Sequence, residues 1–247
     1  MSEVEAVYRI WLRELIRYWR DKGRIVSSLV QPLLFLIIFG GGFGFVKLGN
    51  LNYQSFLFPG IVAMSLITIS ISSGISVIWD REFGFLKEIL VAPISRTSIF
   101  IGKALGGCTT ALIQGIIVLS LSFLIGMSIS IYSFLMSIPV MLIISLGIVS
   151  IGLIIASFIE TFENFGVIMN FLVFPMIFLS GAFFPLAEAP QWLKIVSYAD
   201  PVTYGVESLR SIIIGVSFIP FSISFMIISI FSLSAIFIGG MAFNRQK

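Results

Sequence analysis

The 247-residue sequence predicts an all-α integral membrane protein with six transmembrane helices, and three observations lead there. Charged residues make up only 11% of the chain against 58% hydrophobic residues, with a mean hydropathy of +1.10. Soluble globular domains carry roughly 25% charged residues. Secondly, residues 25–46, 48–79, 104–159, 164–187 and 211–244 contain no Asp, Glu, Lys or Arg. A helix needs about 20 apolar residues to cross a ~30 Å hydrocarbon layer, so four of these gaps fit one crossing each and the gap at 104–159 fits two. Thirdly, runs such as Leu33–Phe39, Ile113–Leu121 and Met226–Ile230 lack the alternating polarity of barrel strands. Lipid offers unpaired backbone groups no partner, so the spans are expected to be helices.

Residues 1–24 precede the first span and carry six cations: Arg9, Arg13, Arg17, Arg20, Lys22 and Arg24. At 100° per residue, Val4, Tyr8, Trp11, Leu12, Leu15 and Trp19 form one stripe and the arginines form another, the pattern of a helix lying in the membrane interface. The following apolar run shows no small-residue cleavage site, so a secretory signal does not fit. Spans are expected at 25–46, 56–79, 99–126, 134–159, 165–184 and 218–243. Between the second and third lies a charged loop, 80–98, and between the fourth and fifth a tight turn, Glu160–Asn164. Residues 185–217 are broken by Pro185, Pro190 and Pro201, and their apolar content (Trp192, Leu193, Ile195 and Val196) suggests an external segment that re-enters the outer leaflet.

Alternating sides put 1–24, 80–103, 160–164 and 244–247 together with 6, 4, 0 and 2 Lys/Arg, or 12 in all, against Lys47, Lys194 and Arg210 opposite. Cytoplasmic loops are rich in Lys and Arg, which places both termini in the cytoplasm and the protein in the cell membrane as a multi-pass chain. The pI near 9.1 reflects this placement and not nucleic-acid binding.

The chain has no His, and Cys108 is its single cysteine. That argues against His-based acid–base catalysis, the common zinc sites and an intrachain disulfide. Cys108 reads as a small packing residue. Lys103 is the one charged residue inside an expected span, so a coupled carrier lacks the mid-membrane carboxylate it normally needs. No Gly-x-x-x-x-Gly-Lys-[Ser/Thr] occurs. The pairs Gly40/Gly44 and Gly102/Gly106 instead have the spacing that lets helices approach closely. No metal site and no resident cofactor is expected. A driven process would need its motor on another polypeptide, and the mixed charged and aromatic loop at 80–98 is the best docking surface for one. By itself the loop fits a docking helix or a plain topological connection equally well.

The pattern Arg81-Glu82-x-x-x-x-Lys87-Glu88-x-Leu90-x-x-Pro93-x-Ser95-Arg96 resembles the loop between spans two and three of ABC-2 type permeases, the membrane subunits of ABC exporters in the daunorubicin-resistance and related groups. Phe178-Leu179-Ser180-Gly181-x-Phe183-Phe184-Pro185, Pro190-x-Trp192-Leu193 and Asp200-Pro201-Val202-Thr203-Tyr204 resemble the same family's fifth span and external segment. The resemblance implies a non-enzymatic transport subunit that dimerises, each copy bound by a separate ATPase that holds ATP and Mg. It makes 80–96 a coupling helix, with Arg81, Glu82 and Lys87 as polar contacts and Phe83, Phe85 and Leu86 as apolar anchors. Glu160 and Glu163 would offer a second contact on that face. Phe171, Phe174 and Phe178, at helical spacing near Pro175, are candidates to line a path for an apolar or amphipathic, drug- or lipid-like cargo, although lipid-facing or packing roles are the commoner use of Phe. A polysaccharide or glycolipid exporter and an ATP-independent channel are the alternatives.

Overall fold

The computed structural model of the chain describes residues 2–43, 47–48, 51–84, 94–159 and 161–244. Six helices among them are long and apolar enough to cross a membrane. They are Lys22–Gly41, Tyr53–Glu82, Arg96–Phe123, Ile131–Phe158, Phe162–Leu179 and Phe221–Asn244, numbered here as the first to sixth spans. An amino-terminal helix, Glu3–Arg20, precedes them. The all-helical six-span architecture expected from the sequence is therefore present. A two-residue antiparallel pairing, Lys47 with Asn52 and Leu48 with Leu51, leads into the second span.

Five spans begin three residues before the point where hydropathy alone puts them: 22 against 25, 53 against 56, 96 against 99, 131 against 134 and 162 against 165. Capping explains four of these starts. The side chains of Ser95, Ser130 and Thr161 accept hydrogen bonds from the backbone N–H of Ser98, Ser133 and Asn164, satisfying donors that a new helix leaves open. Asp21 does the same for Arg24 at the start of the first span. The sixth span starts later than expected, at Phe221 rather than residue 218, because Pro220 disfavours helical backbone at Ile219.

The second span is the centre of the bundle. Its most apolar window is 78% buried, against 17% for the first and fifth spans. The third and fourth spans pack on it and on each other, and the sixth packs along the fourth. The second span breaks at Ser73–Gly74, where a Cβ on Gly74 would sit 2.5 Å from the Gly152 carbonyl oxygen of the fourth span. Only glycine permits that approach.

The segment after the fifth span holds two helices, Gln191–Ala199 and Pro201–Ile214. The second is too short to cross a membrane at 1.5 Å per residue. It packs among the second, fourth and sixth spans and buries Val202, Val206, Leu209 and, unexpectedly for its composition, Glu207 and Arg210.

Candidate functional site

The amino-terminal helix lies along the third span because two glycines make room for it. A Cβ at Gly102 would meet Ile10 at 2.8 Å, and one at Gly106 would meet Glu14 at 2.6 Å. The close-approach reading of that glycine pair is thus realised, with the partner being this helix. Gly40 faces Gln54, while Gly44 lies outside the described residues.

Between the two glycines stands Lys103, only 1% exposed. Its Nζ donates to Asp80 Oδ2 at 2.5 Å, to Ser76 Oγ at 3.1 Å and to Glu14 Oε1 at 3.4 Å. Arg13 Nη2 donates to the same Asp80 oxygen at 2.5 Å and to Glu14 Oε1 at 2.9 Å. Arg17 comes within 3.8 Å of Asp80 Oδ1, with its guanidinium 5.5 Å from the Trp79 ring centroid. Burial alone would push the Glu14 carboxyl up, but Lys103 and Arg13 outweigh it and hold it below the usual range. Burial likewise works against the Arg13 charge, and Asp80 and Glu14 more than restore it. One carboxylate thus joins the amino-terminal helix, the end of the second span and the start of the third.

The same helix holds the other end of the loop. Ser95 donates from its backbone N–H to the Glu3 carboxylate at 3.1 and 3.2 Å, and from its hydroxyl at 2.9 Å. Hydrogen bonds from Ser98 and Ser95 hold the Glu3 carboxyl below its ordinary range. Asp80 and Ser95 bracket the segment proposed from sequence as a coupling helix, and the amino-terminal helix holds both.

The sequence-predicted coupling residues separate into two groups. Arg81 donates to the carbonyl oxygens of Ile159 at 2.8 Å and Ser157 at 3.3 Å, closing the end of the fourth span as a cation at a helix C-terminus does. Its guanidinium therefore bridges the 80–96 loop and the turn after the fourth span. Glu82, Phe83 and Glu163 are exposed. Phe83, 70% exposed, stacks on Trp79 at 5.0 Å, and Trp79 meets Phe162 edge-on at 5.3 Å. Phe85, Leu86, Lys87 and Glu160 lie outside the described residues.

The candidate path residues do not form one surface either. Phe174 and Phe178 stack at 6.3 Å, and Phe178 continues through Phe183 to Phe39 of the first span at 5.1 and 5.8 Å. Phe171 turns instead toward an apolar recess of about 450 Å³ shared with Pro175, Phe231 and Asp200.

A second buried ion pair went unseen in the sequence. Arg210 and Glu207 pair at i, i+3 with no side-chain exposure. Arg210 Nη2 also donates to the Gly181 carbonyl at 2.8 Å, and its guanidinium lies 4.1 Å from the Phe56 ring centroid. Glu207 Oε2 accepts from the backbone N–H of Phe218 at 2.6 Å and Ile219 at 3.3 Å. The pair ties the end of the fifth span to the approaches of the second and sixth. Their spacing matched a solvated amphipathic turn just as well, so no sequence signal marked them as buried.

With this geometry in view, relatives place the chain. A family model described as ABC-2 type transporter matches residues 5–214. The inner membrane transport permease YadH of Escherichia coli K12 is 28% identical over 236 residues, covering 92% of this chain and 90% of YadH. The transport permease ycf38 of Porphyra purpurea is 31% identical over 218 residues, covering 86% of this chain and 74% of the relative. A probable multidrug ABC transporter permease, YbhR of Escherichia coli K12, is 31% identical over 167 residues, covering 66% of this chain and 45% of the relative. The match spans the gripped loop, the buried pairs and five of the six spans, and the chain belongs to the ABC-2 type transporter family as a multi-pass transport permease.

Proposed function

We propose that this permease is the membrane subunit of an ATP-driven exporter, in which a separate ATPase pushes on residues 80–96 from the cytoplasm. The observation that carries the reading is the double grip on that loop, Arg13 on Asp80 at one end and Glu3 on Ser95 at the other. A push at either held end of the loop is then delivered to the second or third span and to the amino-terminal helix together. Glu82 and Phe83, exposed beside the grip, are the contacts for the ATPase, and Glu163 offers a second on the same face.

The reading places both termini in the cytoplasm on the strength of the Lys/Arg asymmetry. It pairs two copies of the chain with two ATPase subunits, which bind the ATP and Mg. The sparsely buried first and fifth spans supply the surface for the second copy. An apolar or amphipathic cargo fits the phenylalanines at 174 and 178 and the relative named as a probable multidrug permease.

Affinity purification from native membranes in mild detergent tests the reading. The expected result is an ATP-binding subunit recovered in equal amount with this chain. Movement of solute by the purified chain alone, with no ATPase present, contradicts it.

A further inference from the structure

The loop-side face carries a groove of about 650 Å³ between the amino-terminal helix and the end of the second span, lined by Arg13, Arg17 and Arg20 with Trp79 and Phe83 as its aromatic wall. Two carboxylates also line it, and both are engaged. Asp80 is held by Arg13 and Lys103, and Asp21 accepts from the Arg24 backbone at 3.0 Å. Arg17 reaches Asp80 only at 3.8 Å, and Arg20 has no ion-pair partner among the described residues. The groove therefore presents two cationic side chains with hydrogen-bonding capacity to spare.

Its surroundings identify the rest of the ligand. Ile16, which also lines the groove, falls between the arginines and the outward stripe of Val4, Tyr8, Leu12 and Trp19 at 100° per residue. All five are exposed, and Val26, Val30 and Leu34 continue an exposed apolar ridge at i, i+4 spacing along the first span. An acidic peptide would match the arginines and leave this ridge bare. A molecule with a compact anionic head and long apolar tails matches both, since basic pockets beside spans at the cytoplasmic leaflet recruit anionic headgroups.

We propose that this groove is a binding site for the phosphate headgroup of an anionic phospholipid, with Arg17 and Arg20 as its ligands and the amino-terminal helix held in the cytoplasmic leaflet by the bound lipid. The proposal rests on the preceding reading only for the leaflet.

The test is native mass spectrometry of the full chain purified in mild detergent, with phosphatidylglycerol and phosphatidylcholine supplied in competition. The wild type is expected to retain phosphatidylglycerol selectively. Arg17→Gln with Arg20→Gln is expected to lower that retention roughly tenfold or more, while Arg9→Gln, a loss of cationic charge on the same helix away from the groove, leaves it unchanged. Equal retention by all three proteins overturns the site. The wild type alone gives an independent reading: its unfolding midpoint should be higher in phosphatidylglycerol vesicles than in phosphatidylcholine. An equal rise in phosphatidylcholine on adding millimolar inorganic phosphate overturns the lipid assignment in favour of a free-anion site. Loss of ATPase capture by the double variant with lipid retention intact overturns it in favour of a protein-docking surface. Lipid retention is read without the ATPase, so failure of the exporter reading leaves it standing, and its own failure leaves that reading intact.

Discussion

The two buried ion clusters are built differently. On the loop face, Asp80 has three cations within 4 Å, Lys103 has Ser76 and Glu14 as further acceptors, and Arg17 and Arg13 remain partly exposed. On the opposite side, Glu207 and Arg210 hydrogen-bond only to each other and to fixed backbone groups among the described residues, the guanidinium lies over the Phe56 ring, and neither side chain is exposed. The first is a network whose members can exchange partners as elements shift. The second has no alternative arrangement and acts as a joint that holds the fifth span, the sixth span and the intervening helix in one register. The contrast makes the loop end the one with spare partners and the far end the one without.

The largest effect expected from breaking this comparison is at the joint. Arg210→Met leaves Glu207 buried without its cation, at a cost of about 3–5 kcal/mol, which thermal unfolding in detergent would read. Adding Glu207→Gln to it should recover part of the loss, since the stranded charge is then removed. If Arg210→Met were no worse than a surface substitution, the joint would be decorative.

Legibility from sequence follows the same division. The spans were readable because charge is confined to short clusters, and Lys103 stood out as the exception inside one. Its partners did not. Asp80 reads as one more loop charge, Arg13 as one of the arginine stripe of an interfacial helix, and nothing in the pattern singles out Glu14. Hydropathy places helix starts late because the capping residues are polar and sit outside the apolar runs, as Ser95 and Ser130 do. Glu207 and Arg210 were hidden because an i, i+3 pair of opposite charges on a short helix is the ordinary signature of a surface.

A smaller effect is expected in the network. Asp80→Asn removes the shared carboxylate but leaves Lys103 with Glu14 and Ser76, so the cost should be about 2–3 kcal/mol by the same unfolding assay. A loss equal to that of Arg210→Met would contradict the idea of spare partners.

Asp200, which begins the helix carrying the joint, adds a pH dependence. Burial pushes its carboxyl up to about 7 from 3.8, in spite of a hydrogen bond from Val202. The folded chain therefore holds a proton that the unfolded chain has released, and stability falls as pH rises from about 4 to 7 and levels off above. Asp200→Asn keeps an amide oxygen to cap Val202 and should abolish that slope, with a gain on the order of 2 kcal/mol at pH 8. An unchanged profile would show that Asp200 is ionised in the folded protein.

The smallest effect sharpens the loop side. Gly106→Ala places a methyl against Glu14 and should cost about 1–2 kcal/mol, with faster hydrogen exchange confined to the amino-terminal helix. Exchange spread through the third span would mean that the glycine serves the span and not the grip.

Capture of the proposed ATP-binding subunit by the permease carrying Glu82→Ala and Phe83→Ala tests the central claim most directly. Both side chains are exposed and outside the ion network, so folding should be unaffected. The account predicts that membrane insertion is normal and that recovery of the ATP-binding subunit falls roughly tenfold or more. Recovery equal to that of the wild type would contradict it.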